Sequence, residues 1–341
     1  MASLAELMDP GSRVHISAIP FPGQARIHPS HAVVTDADHT WLRDSVPFAS
    51  QESRDAFIQE KIPRWSCWCY PTAASARMGH ISRLYTLLFA LDDRAAHDWG
   101  TYRGFMQMLD GTGDDASPYS SAYNGVWAAL TDAMPSGVRT RHARTQRRWA
   151  EALAMENALR ATGYPIHPDV CFPLRRLSTG GETIMVPIEF GLGIDLTILM
   201  ERDGDLAGLW RIAGTHVVLV NDLLSARKEM ASGDCMNLMF SLMLHDDLSA
   251  QAAADVMLDR IKVADDDYRR ACRVLRARYR HHPLGNAVHR YLEGVGYMMA
   301  GNVAWHYESS RYHGPGHLWD GRWPTELVLY PDRTIFENGS Q

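Results

Sequence analysis

Asn221-Asp222-Leu223-Leu224-Ser225-Ala226-Arg227-Lys228-Glu229 lies in a stretch, Thr215 to Ser232, with no glycine or proline. At about 100° per residue on an α-helix, Asn221, Ser225 and Glu229 fall within about 80° of one another, with Lys228 about 20° to the other side. One helix face therefore offers an amide oxygen, a hydroxyl, a carboxylate and an ammonium. These oxygens are hard donors of the kind Mg²⁺ takes when phosphate completes its shell, and the lysine stands where that phosphate would lie. The residues just before, Thr215-His216-Val217-Val218-Leu219-Val220, are almost wholly apolar. The polar stripe thus continues a buried helix, a placement that a solvated helix end would not need.

Outward from this stretch the helical pattern repeats. Candidate helices run over roughly 35–44, 51–61, 73–97, 99–110, 119–133, 139–162, 168–177, 184–200, 205–231, 235–244, 248–281 and 284–311. Breaks fall at Pro63, Gly111-Thr112-Gly113, Pro135, Gly163-Tyr164-Pro165, Gly180-Gly181, Gly233 and His282-Pro283. No alternating run long enough for a sheet lies between them, so the expected fold class is all-α, a single helical bundle over 31–313. Residues 1–30, with four prolines, read as an extended strap. Residues 314–341, with Trp319, Trp323 and three prolines, read as a tail folded over the bundle.

Composition narrows the function. A 341-residue chain with 46% hydrophobic residues builds a sizeable core. Its net charge of −6 speaks against a nucleic-acid or anionic-membrane surface, so a polyanionic ligand would need locally placed cations. Five scattered cysteines without zinc-site spacing read as reduced thiols of a cytoplasmic protein. No run reaches the ~18 apolar residues of a membrane span. The sixteen histidines show no metal spacing and read as surface or structural.

A second acidic feature complements the first. Asp92-Asp93 follows Leu84-Tyr85-Thr86-Leu87-Leu88-Phe89-Ala90-Leu91, so two carboxylates continue an apolar helix. Burying carboxylates unpaired is costly. A cation is expected there, either a metal ion or an internal arginine.

Together the two helices resemble those of the class I terpene synthases. In that family one bundle helix carries an aspartate-rich motif beginning Asp-Asp. Another carries Asn/Asp-Asp-x-x-Ser/Thr-x-x-x-Glu, matched here without a mismatch by Asn221 to Glu229. Trp305 followed by Arg311-Tyr312 matches the family's C-terminal pattern, and Arg175-Arg176-Leu177-Ser178-Thr179-Gly180-Gly181 resembles its diphosphate-sensing helix break. The resemblance spans about Trp41 to Tyr312. One departure stands out: Ala95 and Ala96 occupy the places of the usual third acid, and Asp98 lies about 240° round the helix from Asp92.

The resemblance implies a helical bundle around a central active-site cavity and the ionisation of an isoprenoid diphosphate by three Mg²⁺ ions. Asp92, Asn221, Ser225 and Glu229 would be the metal ligands, Asp93 a salt-bridge partner behind them, and Asp98 an open case. Arg176, Lys228, Arg311 and Tyr312 would bind diphosphate. Arg176 is preferred over Arg175 because Thr179 and Gly180 follow it at the family's spacing, although sequence does not separate the two, and the Gly180 carbonyl would face the forming cation. Phe89 and Trp305, and more weakly Phe190, would line the cavity. The expected reaction cyclises a linear diphosphate to a sesqui- or diterpene hydrocarbon or alcohol, with farnesyl diphosphate favoured and geranylgeranyl diphosphate close behind. A bicyclic, copalyl-type substrate and an inactive isoprenoid-binding protein are the alternatives. Many members of the family are dimers, which makes a homodimer a candidate assembly that no residue here signals.

Overall fold

The computed structural model describes residues 6–9, 11–95, 99–109 and 119–329. Among these residues the regular elements are helices apart from one strand pair. The first half holds α1 (His31–Ser45), α2 (Gln51–Gln59), α3 (Ile62–Cys69), α4 (Ser75–Ala95), α5 (Trp99–Leu109), α6 (Ser120–Asp132) and α7 (Ser136–Arg160). Next come α8 (Pro168–Ser178), α9 (Val186–Leu192), α10 (Thr197–Arg202), α11 (Gly204–Ser232) and α12 (Leu238–His245). The last are α13 (Ala250–Arg278), α14 (Gly285–Glu308) and α15 (Ser310–His313).

Local chemistry sets the element ends. Asp203 caps α11 by accepting from the backbone N–H groups of Asp205 and Leu206 at 2.9 and 3.2 Å. Gly233, at φ +71°, ends the helix in the left-handed conformation that glycine adopts without penalty. Between these ends α11 packs along α13 and against α14. Leu219, Val220 and Leu223 are wholly buried, and truncating one such side chain typically costs about 2–5 kcal/mol, so packing holds the polar stripe in register.

Two expected helices divide, and one helix, α3, forms where only a break was expected. Pro63 starts α3 instead of breaking a helix, because a proline in the first turn has no N–H to leave unpaired. The 184–200 segment splits at Gly193, whose φ is +67°. The last long segment breaks at Ser309, which caps α15 by accepting from Arg311 N–H at 3.2 Å. That corner aims Arg311 and Tyr312 back toward the bundle.

The strap forms a short strand, β1 (Arg13–His15), antiparallel to β2 (Glu326–Val328) of the C-terminal segment, with Val14 opposite Leu327. Trp319 and Trp323 pack edgewise or tilted on Trp68, Tyr307 and Phe21. Residues 330–341 lie outside the described part. All five cysteines are buried and unpaired. No helix among the described residues is long and apolar enough to cross a membrane.

One close approach fixes the geometry of the core. An added Cβ at Gly301 would stand 2.1 Å from the Trp68 carbonyl oxygen, so only glycine lets α14 lie against α3. The contact is locked by Trp65 and Trp68, whose indole N–H groups donate to Asn302 Oδ1 and Glu308 Oε2 at 3.1 and 2.6 Å.

Candidate active site

Helices α4, α7, α8, α11 and α14 surround a cavity of about 680 Å³. Its apolar wall includes Trp65, Tyr85, Leu88, Phe89, Trp149 and Val217, and its polar wall includes Asp92, Asp93, Asn221, Ser225, Lys228 and Glu229. Two groups that lie more than a hundred residues apart in the chain thus meet in one cavity.

On α11 the stripe faces the cavity as the helical period requires. Ser225 Oγ donates to Glu229 Oε1 at 2.8 Å, and Asn237 Nδ2 donates to Glu229 Oε2 at 2.5 Å. Burial pushes the Glu229 carboxyl up to about 7 against the pull of Arg175. Asp222 turns the other way, where Arg175 Nη2 donates to its Oδ1 at 2.6 Å and Leu238 N–H to its Oδ2 at 2.9 Å.

On α4, burial and then the neighbouring Asp93 and Glu156 push the Asp92 carboxyl up to about 7. Burial also opposes ionisation of Asp93, but Arg311 and Lys228 outweigh it and hold that carboxyl below its usual range. Arg311 grips Asp93 with both arms, Nη1 to Oδ2 at 2.8 Å and Nη2 to Oδ1 at 2.5 Å. It also donates to Glu60 Oε2 at 2.6 Å and lies over the Phe89 ring at 5.6 Å. Lys228 Nζ stands 3.6 Å from Asp93 Oδ1.

The break between α8 and α9 comes next. Gly180 has φ +80°, and a Cβ on Gly181 would stand 2.5 Å from the Arg176 carbonyl oxygen and 3.3 Å from Gly214 Cα of α11. The glycine pair lets the turn press against α11. It is the register of α8 that corrects the choice between the two arginines. Arg175 lines the cavity, whereas Arg176, one residue further round the helix, does not. Arg175 is held by Asp222, by Glu156 at 3.1 Å to both carboxylate oxygens, and by Asn221 Oδ1 at 3.1 Å. Gly180 lines the cavity too, but its carbonyl accepts from Thr183 Oγ1 at 2.8 Å and from Ile184 N–H at 3.3 Å. That oxygen is engaged within its own turn.

Two aromatic expectations are also corrected. Phe89 lines the cavity, but Trp305 stands behind the wall, packed edgewise on Phe89 and Tyr312, with its indole N–H donating to the Lys61 carbonyl at 3.2 Å. Phe190, buried on α9, packs under Arg77 outside the cavity. Trp149 and Tyr85 line it in their place. Asp98 lies outside the described residues.

Several cavity residues carry no pattern of their own in the sequence. Glu60, Asp234 and the α7 pair Glu156 and Arg160 come from three separate segments and gain meaning only when the chain is folded. His306 is another: burial lowers its imidazole to about 3, and its ring stacks on Tyr312 at 4.5 Å.

The residues present fit a divalent cation. Six carboxylates (Glu60, Asp92, Asp93, Glu156, Glu229, Asp234) line the cavity against four cationic side chains (Arg160, Arg175, Lys228, Arg311). That excess, at a partly buried site, calls for positive charge from outside the chain. No cluster of three or more His, Cys, Asp or Glu forms a closed metal cage among the described residues. The donor set is instead one carboxylate with an amide and a hydroxyl oxygen, an incomplete shell that a ligand's oxygens would fill.

Comparison with known proteins agrees with this geometry. The family described as terpene synthase family 2, C-terminal metal binding, matches residues 83–265, which take in Asp92-Asp93 of α4, the α8–α9 break and the α11 stripe. The chain belongs to that family, and is thus a terpene synthase, a lyase acting on isoprenoid diphosphates, with a metal-binding domain. It is 28% identical over 321 residues to microbial terpene synthase-like protein 13 of Selaginella moellendorffii, covering 89% of this chain and 88% of that one. Pristinol synthase of Streptomyces pristinaespiralis is 24% identical, with 90% and 87% covered. Among solved structures, linalool/nerolidol synthase from Streptomyces clavuligerus in complex with 2-fluorogeranyl diphosphate shares the fold at a TM-score of 0.76 and 19% identity. That match covers 82% of this chain and all of the other.

Proposed function

We propose that this enzyme ionises a linear isoprenoid diphosphate, farnesyl diphosphate in preference to geranylgeranyl diphosphate, and cyclises the resulting cation to a sesquiterpene hydrocarbon or alcohol. The observation that carries the reading is the meeting of two acid-bearing helices in one cavity that is also lined by aromatic side chains. Mg²⁺ suits the oxygen donors, and three bound ions would supply Lewis-acid stabilisation of the departing diphosphate. Asp92 on one side and Asn221, Ser225 and Glu229 on the other would hold them.

The chain's own residues do the rest. Arg311 and Lys228 take the diphosphate oxygens through charge-assisted hydrogen bonds, exchanging Asp93 for the ligand, and Tyr312 adds its phenol. Arg175, rather than Arg176, links the α8–α9 turn to the α11 stripe through Asn221 and Asp222. After the carbon–oxygen bond breaks, the allylic cation is left among Phe89, Trp65, Tyr85 and Trp149. Their π faces stabilise positive charge, and the apolar wall excludes water. The preference for fifteen carbons is supported by sesquiterpene synthase 1 of Postia placenta, 24% identical over 275 residues. Five buried, unpaired thiols support a reducing compartment.

The test is incubation of the purified protein with geranyl, farnesyl and geranylgeranyl diphosphates and Mg²⁺, with and without chelator, read by gas chromatography and mass spectrometry. A chelator-sensitive cyclic C15 product is expected. Turnover of the C20 substrate alone would overturn the chain-length assignment, and chelator-resistant turnover the metal assignment.

A further inference from the structure

Asn221 differs from the other donors of its stripe in having two unlike ends. Only its Oδ1 can bind a metal ion; its Nδ2 can only donate hydrogen bonds. What surrounds the amide therefore decides whether it serves as a ligand. On one side Arg175 Nη2, which only donates, lies 3.1 Å from Oδ1. On the other side His306 Nε2 lies 3.1 Å from Nδ2.

The state of that imidazole follows from its second nitrogen. His306 Nδ1 lies 2.7 Å from the Asn302 carbonyl oxygen one turn earlier on α14. A carbonyl accepts only, so Nδ1 carries the proton and Nε2 of the neutral ring presents a lone pair. The ring cannot turn away: it is 2% exposed, stacked on Tyr312 at an interplanar angle of 12°, and set edgewise against Trp305 at 5.3 Å. His313 Nε2, 2.9 Å from the His306 carbonyl, ties the same turn to α15. Reversing the amide would set Nδ2 against a guanidinium and Oδ1 against a lone pair. Both contacts are repulsive.

We propose that His306 is a positioning residue whose Nε2 accepts from the Asn221 amide and so keeps Asn221 Oδ1 turned toward the metal site. This rests on the reading of Asn221 as a metal ligand. Hydrogen bonding to its own helix would satisfy a purely structural histidine through Nδ1 alone, and the aim of Nε2 at a ligand's amide goes beyond that. The sequence hides the link, because the two residues are 85 positions apart on different helices.

Binding of Mn²⁺ in the presence of inorganic diphosphate, followed by electron paramagnetic resonance on the full chain, tests it without turnover. His306→Phe keeps a stacking ring and removes the acceptor, and is expected to weaken Mn²⁺ binding by about 10- to 100-fold. His306→Gln, with an acceptor oxygen, should recover most of the loss. Asn221→Asp has no amide to orient, so in that background His306→Phe should cost about 2-fold or less. An equal loss in both backgrounds, or unchanged binding in His306→Phe, overturns the inference. If the unmodified protein takes up no Mn²⁺ with diphosphate, the metal reading fails and the inference falls with it, an outcome distinct from uptake that ignores His306. A measurement that needs no variant is ¹⁵N NMR of labelled histidine: the Nδ1–H tautomer at His306 supports the proposal, and the Nε2–H tautomer overturns it.

Discussion

Two buried ionic clusters sit in this bundle and are built on opposite terms. Between α7 and α9, Arg141 Nη2 donates to both oxygens of Glu189 at 2.7 and 2.6 Å, and Leu196 N–H donates to Glu189 Oε1 at 2.8 Å. One cation faces one anion, and both are nearly inaccessible. Around the cavity, six carboxylates share four cations, and the same arginine serves Asp93 and Glu60. The first cluster is complete within the chain, whereas the second lacks positive charge. Burial of ions alone therefore does not mark a functional site. Imbalance of charge at a cavity does.

The largest expected effect breaks the balanced pair. Glu189→Ala leaves Arg141 buried without its partner and should lower stability by about 3–5 kcal/mol, read as a shifted urea midpoint with the urea dependence of the unfolding free energy unchanged. An unshifted midpoint would mean that water reaches Arg141. In the unbalanced cluster the same type of change should act on function. Asn221→Ala or Glu229→Ala is expected to reduce Mg²⁺-dependent turnover by about 10²-fold or more, while the thermal midpoint of the metal-free protein stays level or rises, because a poorly compensated site loses a buried polar group. Retained turnover in both variants would sink the assignment of the α11 stripe as ligands.

The smallest effect concerns a third buried carboxylate, away from the cavity. Asp38 on α1 is 1% exposed; burial raises its carboxyl from 3.8 to about 6, against the pull of Ser82 and Arg83. A raised folded-state value means that the native protein keeps a proton that the unfolded chain has released. The contribution of Asp38 to stability should therefore fall as pH rises from about 4 to about 6 and level off above. Asp38→Asn should flatten that slope, which denaturant titrations across the window would show. An unaltered slope would move the cause to another group.

The sequence exposes the α11 stripe because its donors recur at helical spacing within one element, so periodicity alone places them on one face. Asp92-Asp93 is legible for a related reason: charge at the end of an apolar run stands out. The choice between Arg175 and Arg176 depends on where α8 begins, and one residue of register reverses it. Which side of the wall Trp305 and Phe190 occupy is likewise invisible, since a buried aromatic shows the same pattern whether it faces a cavity or a neighbouring helix. Glu60 and Glu156 lie outside any motif, and His306 holds an unspecified position between Trp305 and Arg311, because their partners are brought in by tertiary packing. The turn at Ser309 was hidden as well, a corner made by one hydroxyl inside an otherwise helical pattern.

The pairing of β1 with β2 bears on how the chain reaches this structure. Arg13 and Glu326, which form an ion pair across the two strands, are separated by 313 positions, nearly the full length of the protein. Closing so long a loop carries an entropic cost that little local structure offsets until the intervening helices have folded and drawn the two segments together. During synthesis from the N-terminus the first strand has no partner until almost the whole chain has been made. Pairing of the two strands is thus a late event, one that reports completion of the bundle and does not direct it.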